Sequence, residues 1–255
     1  MKGIILAGGS GTRLYPLTKA VNKHLLPVGK YPMIFYPIFK MRQCGITEIL
    51  IITGKEHIGN FVNLLSTGRE LGLVFTYRIQ EQAGGIAQAL SLAADFVGQE
   101  RCLVILGDNI VSADLCPYVE KYQEQPLGAK IFLKKVPDPH RYGVAEIQGD
   151  LVVGIEEKPT EPKSDLCVTG IYLYDQNVFK IIQGLKPSHR DEMEITDVNN
   201  AYIQENQLTY DILDGWWIDA GTFESIRQAN EFTLKYDLAD EWKDLHWLIK
   251  ENVND

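Results

Sequence analysis

Gly3-Ile4-Ile5-Leu6-Ala7-Gly8-Gly9-Ser10-Gly11-Thr12-Arg13 is the stretch whose reading decides the fold. Gly3 to Ala7 is a short apolar run flanked by glycine. Such a run fits a strand buried on both faces. Gly8, Gly9 and Gly11 then make a turn at the strand's C-terminal end, where backbone N–H groups can converge on an anion. In open sheets, ligands bind at that edge. A tight turn that needs glycine only for its backbone angles stays open as the plainer reading. The turn is not a P-loop, because no Gly-Lys-Ser/Thr closes it, and it lacks the third glycine of GxGxxG.

Outward from this stretch, Glu48–Thr53 and Cys102–Leu106 repeat the continuous apolar type, and Leu73–Arg78 adds another strand. Helical segments fall between them, over Met33–Gly45 and Ile86–Phe96. Alternation of this kind predicts parallel strands joined by right-handed crossovers and covered on both faces. The expected fold is therefore α/β: a Rossmann-like, doubly wound three-layer α/β/α with a mixed, mainly parallel central sheet. The second half reads as richer in strands, at Lys130–Val136, Gly143–Gln148, Leu151–Glu156 and Val168–Tyr174, with a hairpin turn at Gly149-Asp150. Helices are expected over Thr196–Asn206 and Thr222–Tyr236, with Glu194 or Thr196 capping the first. Lys158–Asp165 reads as a loop. No repeat or linker divides the chain, so residues 1–255 are expected to form a single domain.

The 255 residues carry a net charge of −9, which argues against nucleic acid or an anionic membrane as partner. Small anionic substrates are not excluded, because a few cations in a cleft can reverse the local potential. Cys44, Cys102, Cys116 and Cys167 form no CxxC pair, so reduced structural thiols are expected. No run approaches the roughly 20 apolar residues of a membrane span, and the N-terminus does not resemble a signal peptide. A cytoplasmic location follows as an expectation.

Several side chains could serve chemistry. Arg13 can grip phosphate oxygens in bidentate fashion, and Lys23 offers a compact charge, although both also suit a solvated surface. Asp108 follows the Cys102–Leu106 strand, and Asp219 precedes a helix. Two carboxylates could hold Mg²⁺ through hard oxygens, yet Asp108 also suits a turn and Asp219 a helix N-cap. The amide of Gln80 donates and accepts at once, which suits the imide edge of thymine or uracil.

The string Leu6-Ala7-Gly8-Gly9-Ser10-Gly11-Thr12-Arg13-Leu14-Tyr15-Pro16-Leu17-Thr18, followed by Asn22 to Val28, resembles the signature of the sugar-1-phosphate nucleotidylyltransferases. The likeness is greatest to their glucose-1-phosphate thymidylyltransferase branch and runs from Lys2 to about Ala229. It implies Mg²⁺-dependent in-line transfer of a nucleotidyl group from dTTP, or UTP, to glucose 1-phosphate or another sugar 1-phosphate. A non-catalytic nucleotide-sugar sensor and a nicotinamide-dependent dehydrogenase are the rivals from other classes. The resemblance assigns catalysis to Arg13, Lys23, Asp108 and Lys158. It assigns the nucleotide to Leu6, Gly8, Gly9, Gly11, Thr12, Arg13, Lys23, Gln80, Gly85 and Asp108. Tyr142, Gly143, Glu157, Lys158, Val168, Tyr172 and Trp217 would hold the sugar phosphate, and Asp108 and Asp219 the metal. Residues 1–110 would then mainly bind nucleotide and 111–230 mainly sugar phosphate, with 231–255 a short C-terminal helical segment. A homo-oligomer is compatible with the family.

The chain departs from the family pattern at three positions. His24 stands for Gln, and a histidine there is expected to titrate at about pH 6 to 7. Gly84 stands for Asp, and Ala220 for Thr. The chain also ends 36 residues after Asp219, short of a C-terminal region that the family associates with a regulatory nucleotide site. Weak or differently built feedback control is expected.

Overall fold

The N-terminal apolar run forms β1 (Lys2–Leu6), an inner strand of a nine-stranded sheet in a computed structural model that describes residues 1–235. A short hairpin follows, β2 (Pro27–Val28) and β3 (Tyr31–Pro32), leading into α1 (Phe35–Gln43). Strand and helix then alternate through β4 (Glu48–Gly54), α2 (Ile58–Leu65), β5 (Val74–Gln80), α3 (Ile86–Ser91), α4 (Ala94–Val97) and β6 (Cys102–Leu106). Next come β7 (Asn109–Val111), α5 (Cys116–Glu124), β8 (Ala129–Lys135), β9 (Gly143–Gln148), β10 (Leu151–Glu157) and β11 (Leu166–Tyr174). The described chain closes with α6 (Asn177–Gly184), α7 (Ile195–Gln204), β12 (Leu208–Ile212), β13 (Trp217–Asp219) and α8 (Phe223–Lys235).

The main sheet runs β10-β9-β11-β6-β1-β4-β5, with β8 and β12 branching from β11. The strands β1, β4, β5, β6, β8, β9 and β12 point one way, and β10 and β11 point against them. The expected mixed, mainly parallel sheet is therefore present. Successive residues of a strand face opposite sides, and the inner strands are apolar on both. Ile5, Ile49, Ile51, Leu103 and Ile105 pack with α1, α2 and α5, whereas Ile4, Leu50, Ile52, Cys102 and Val104 pack with α3, α6 and α7. Two cores flank one sheet, which gives three layers.

Some details differ from the sequence reading. The helix expected over Ile86–Phe96 is broken in two after Ser91. The guanidinium of Arg78 donates to the carbonyl of Leu92, drawing it out of the helical ladder. Neither Glu194 nor Thr196 caps α7 through its side chain, because Arg190 and Ser188 occupy Glu194 and the Thr196 hydroxyl turns to Glu157. The Gly149-Asp150 hairpin forms, with Leu151 opposite Gln148 and Gly149 at φ 60°. The four cysteines are free thiols. Of the expected C-terminal segment 231–255, the part beyond residue 235 lies outside the described residues. No helix among the described residues is long and apolar enough to cross a membrane.

Candidate active site

Leu6, Gln80 and Leu106 end β1, β5 and β6 at one sheet edge, and a cavity of about 580 Å³ opens there. The glycine turn closes one side. Gly8 and Gly9 line the cavity, and Gly9 adopts φ 89°. A Cβ at Gly8 would stand 2.6 Å from Gln80 Oε1, so backbone and amide meet directly. Gly11 and Thr12, expected to hold nucleotide, do not line the cavity. Gly11 packs on Thr18, whose hydroxyl donates to its carbonyl at 2.7 Å, and Thr12 opens a 3-10 turn that carries Arg13 inward.

A second 3-10 turn, Lys23–Leu25, is pinned by Asn22, whose Oδ1 accepts from the His24 backbone N–H at 2.9 Å. Lys23 reaches the cavity and pairs with Asp108 Oδ2. His24 is buried, and its Nδ1 lies 2.7 Å from Asn22 Oδ1. That oxygen can only accept, so Nδ1 carries the proton. Burial, with the Lys23 charge beside it, pushes the imidazole down to about 3. The expected titration near neutral pH is therefore corrected: His24 is a neutral core histidine at the cavity wall.

The two aspartates are brought together by a separate two-stranded ribbon. β7 and β13 pair antiparallel, with Asn109 opposite Asp219, Ile110 opposite Ile218 and Val111 opposite Trp217. The Ala220 N–H donates to the Asp108 carbonyl at 2.8 Å. Asp219 does not cap α8, since the Thr222 hydroxyl accepts from Ser225 N–H at 3.1 Å in that role. A Cβ at Gly221 would stand 2.8 Å from Arg13 Nη2 and 2.9 Å from Asp219 Oδ1, so a missing side chain leaves room for both.

Burial opposes ionisation of Asp108, yet the Lys23 charge and hydrogen bonds from Lys23 and Asn109 hold its carboxyl well below the usual range. Burial and the Asp108 charge push Asp219 up. Asp219 Oδ1 is buried without a hydrogen-bond partner. Among the described residues no group of three or more His, Cys, Asp and Glu could enclose a metal. Two carboxylates with an orphaned oxygen fit a hard cation that takes its remaining ligands from phosphate and water.

The far wall is built by the second half. Tyr142 and Gly143 enter β9, and Glu157 ends β10 directly opposite Gly143. Lys158 adopts φ 47°, held by its N–H donating to the Tyr142 carbonyl at 3.0 Å. The Glu157 carboxylate accepts from the Thr196 hydroxyl at 2.6 Å, with Lys158 Nζ at 3.5 Å and Arg190 Nη2 at 3.6 Å. Tyr142 and Trp217 meet edge to face, 5.2 Å between centroids. Val168 and Tyr172 contribute from β11, whose register shifts between them. Gly85, with φ 96°, lines the cavity close against the Met193 backbone.

Sequence reasoning missed Asn109, Arg141 and Arg190 as site residues. Asn109 Oδ1 accepts from Trp217 Nε1 at 2.6 Å and Gly170 N–H at 2.8 Å, while its Nδ2 donates to Asp108 Oδ1 at 3.1 Å. Its place beside Asp108 was the one signal available. Arg190 sits in a charged loop that reads as solvated surface. Arg13, Lys23, Arg141, Lys158 and Arg190 line the cavity together with Asp108, Glu157, Glu192, Glu194 and Asp219. Its formal charges therefore balance within an acidic protein.

The profile of the nucleotidyl transferase family matches residues 2–236. The chain belongs to that family. One similar structure is a Bacillus anthracis chain assigned as a glucose-1-phosphate thymidylyltransferase and solved with a sucrose. It is 60% identical to this nucleotidyl transferase, covers 91% of it and 94% of its own chain, and superposes with a TM-score of 0.88. A glucose-1-phosphate thymidylyltransferase of Neisseria meningitidis is 43% identical over 91% of this chain and 82% of its own length. A UDP-glucose pyrophosphorylase solved with UDP-glucose is 26% identical over 92% of this chain and 98% of its own, with a TM-score of 0.81.

Proposed function

We propose that this nucleotidyl transferase moves the thymidylyl group of dTTP onto α-D-glucose 1-phosphate, giving dTDP-glucose and pyrophosphate. The observation that carries the reading is one cavity shared by the glycine turn, Arg13, Lys23, both aspartates, Glu157 and Lys158. The names of the thymidylyltransferase relatives supply the substrates. UTP is the second candidate nucleotide, favoured by the fold shared with the UDP-glucose pyrophosphorylase.

An oxygen of the sugar phosphate, already ionised at neutral pH, attacks the α-phosphorus of dTTP in line. The bond from that phosphorus to the bridging oxygen of the β-phosphate breaks, and pyrophosphate leaves. The substrate brings its own nucleophile, so catalysis rests on positioning and charge neutralisation. Arg13 and the N–H groups of the glycine turn steady the leaving group, and Gly11 and Thr12 support that turn from outside the cavity. Lys158 aligns the attacking phosphate, with Arg190 beside it, and Lys23 lies between the two anions. Asp108 and Asp219 would hold Mg²⁺, which when bound offsets charge developing on the phosphates. Gln80 and Gly85 meet the base against Leu6. Glu157 accepts sugar hydroxyls, and Tyr142, Gly143, Val168, Tyr172 and Trp217 frame the ring. On this reading residues 1–110 mainly serve nucleotide and 111–230 mainly sugar phosphate, in a protein that works in the cytoplasm.

Incubation of the full chain with Mg²⁺, glucose 1-phosphate and each NTP or dNTP in turn, with pyrophosphate measured, tests the proposal. Release with dTTP is expected. Absence of release with dTTP would overturn it.

A further inference from the structure

Two of the four thiols touch. Cys44 closes the C-terminal end of α1, and Cys116 opens α5, 72 residues further along the chain. The Cys116 thiol donates to Cys44 Sγ, with the two sulfurs 2.8 Å apart. An S–S bond is about 2.05 Å long, so roughly 0.8 Å of approach separates this contact from a covalent link. Both residues are half-buried, whereas Cys102 and Cys167 are buried. Neither sulfur of the pair lines the cavity, so its chemistry is separate from nucleotidyl transfer.

The backbone on each side holds the pair in place. Gly45, at φ 71°, ends α1 in a left-handed turn: its N–H donates to the Arg42 carbonyl at 2.9 Å, and the Ile46 N–H donates to the Met41 carbonyl at 3.0 Å. The Cys116 N–H donates to Asp114 Oδ1 at 3.0 Å, which fixes the start of α5. Cys44 also packs against the hydrophobic core. Two anchored helix ends therefore present the sulfurs to each other.

We propose that Cys44 and Cys116 are a modification site: a low-molecular-weight disulfide converts them to a reversible disulfide that staples α1 to α5. One protein thiolate attacks a sulfur of the small disulfide and displaces a thiolate, leaving a mixed disulfide. The second protein thiolate attacks the protein-bound sulfur of that bond, closes the Cys44–Cys116 link and displaces the other small thiolate. The two protein thiols lose two electrons and two protons, and the small disulfide takes up both and leaves as two thiols. Burial pushes both protein thiols up, and Asp114 adds to that effect while Lys40 opposes it. Exchange is therefore slow at neutral pH and faster at mildly alkaline pH. Once closed, the bond restricts the unfolded chain over the segment between the two cysteines, which holds β4, β5 and β6 of the sheet.

The test treats the full chain with oxidised glutathione at mildly alkaline pH, blocks remaining thiols with N-ethylmaleimide in denaturant and maps peptides without reduction. Cleavage before Asp108 and Asp114 separates Cys102 from Cys116. A linked peptide joining Cys44 to Cys116 is expected, with Cys102 and Cys167 both blocked as free thiols. The Tm should rise by about 5–10 °C and return to its starting value with dithiothreitol. Cys44→Ser and Cys116→Ser should each give no linked peptide and no reversible rise. Wild-type protein that carries only mixed disulfides at these thiols, or stays unmodified, would overturn the proposal. So would a linked peptide without a gain in Tm, because the bond would then staple nothing.

Discussion

His24 shows how far a residue's surroundings override its type. Burial beside Asn22 and Lys23 keeps it neutral, so it contributes no titration between about pH 5 and 8. His24→Gln should leave the shape of the pH–activity profile unchanged over that range. An acid limb that disappears in the variant would contradict this. Asp219 behaves in the opposite sense, its carboxyl raised by burial and by Asp108. A carboxyl raised on folding contributes stability below its unfolded range, near pH 4, and that contribution is lost as pH climbs through the folded value. Metal-free protein should therefore lose stability from about pH 4 toward neutrality, and Asp219→Asn should lose less. Calorimetry across that range checks the slope, and parallel curves would refute it. The same variant should lower turnover by on the order of 10²–10³, as expected when a charge-stabilising group is removed. Lys158 holds a left-handed backbone that glycine adopts freely. Lys158→Gly should gain up to about 1 kcal/mol by denaturant unfolding while losing turnover.

At the scale of elements, legibility tracked how apolar and how local each one is. The inner strands β1, β4 and β6 read straight from unbroken runs such as Ile49-Leu50-Ile51-Ile52. β12 was invisible because Leu208-Thr209-Tyr210-Asp211-Ile212 mixes polar and apolar residues on a strand paired to β8 alone. The ribbon of β7 and β13 was equally hidden, being three residues on each side with partners far apart in sequence. Site residues followed the same rule. The glycine turn announces itself locally, whereas Arg190 enters the cavity only because α7 and β10 bring its loop there. Gly170 joins β11 to this ribbon, and a Cβ there would fall 2.6 Å from Asn109 Nδ2. Gly170→Ala should cost about 1–3 kcal/mol, as overpacking does, with a parallel loss of turnover. Wild-type stability in that variant would mean the ribbon moves more freely than its contacts imply.

Across the whole molecule, the doubly wound design was legible because both faces of the inner strands are apolar. The balance of charge in the cavity was not, because it depends on which distant loops converge. A chain at net −9 around a cavity of balanced charge should repel an incoming triphosphate at long range. Screening by NaCl, at saturating Mg²⁺, should then raise kcat/KM for dTTP, and a steep fall would point instead to a strongly attracting local field. The pairing of Asn109 with Asp219 also has a meaning in time. A nascent chain leaves the ribosome with its glycine turn and Asp108 first, and the second aspartate follows more than a hundred residues later. A chain that stops between them cannot bring the two carboxylates together, so this corner forms only once translation has passed Asp219.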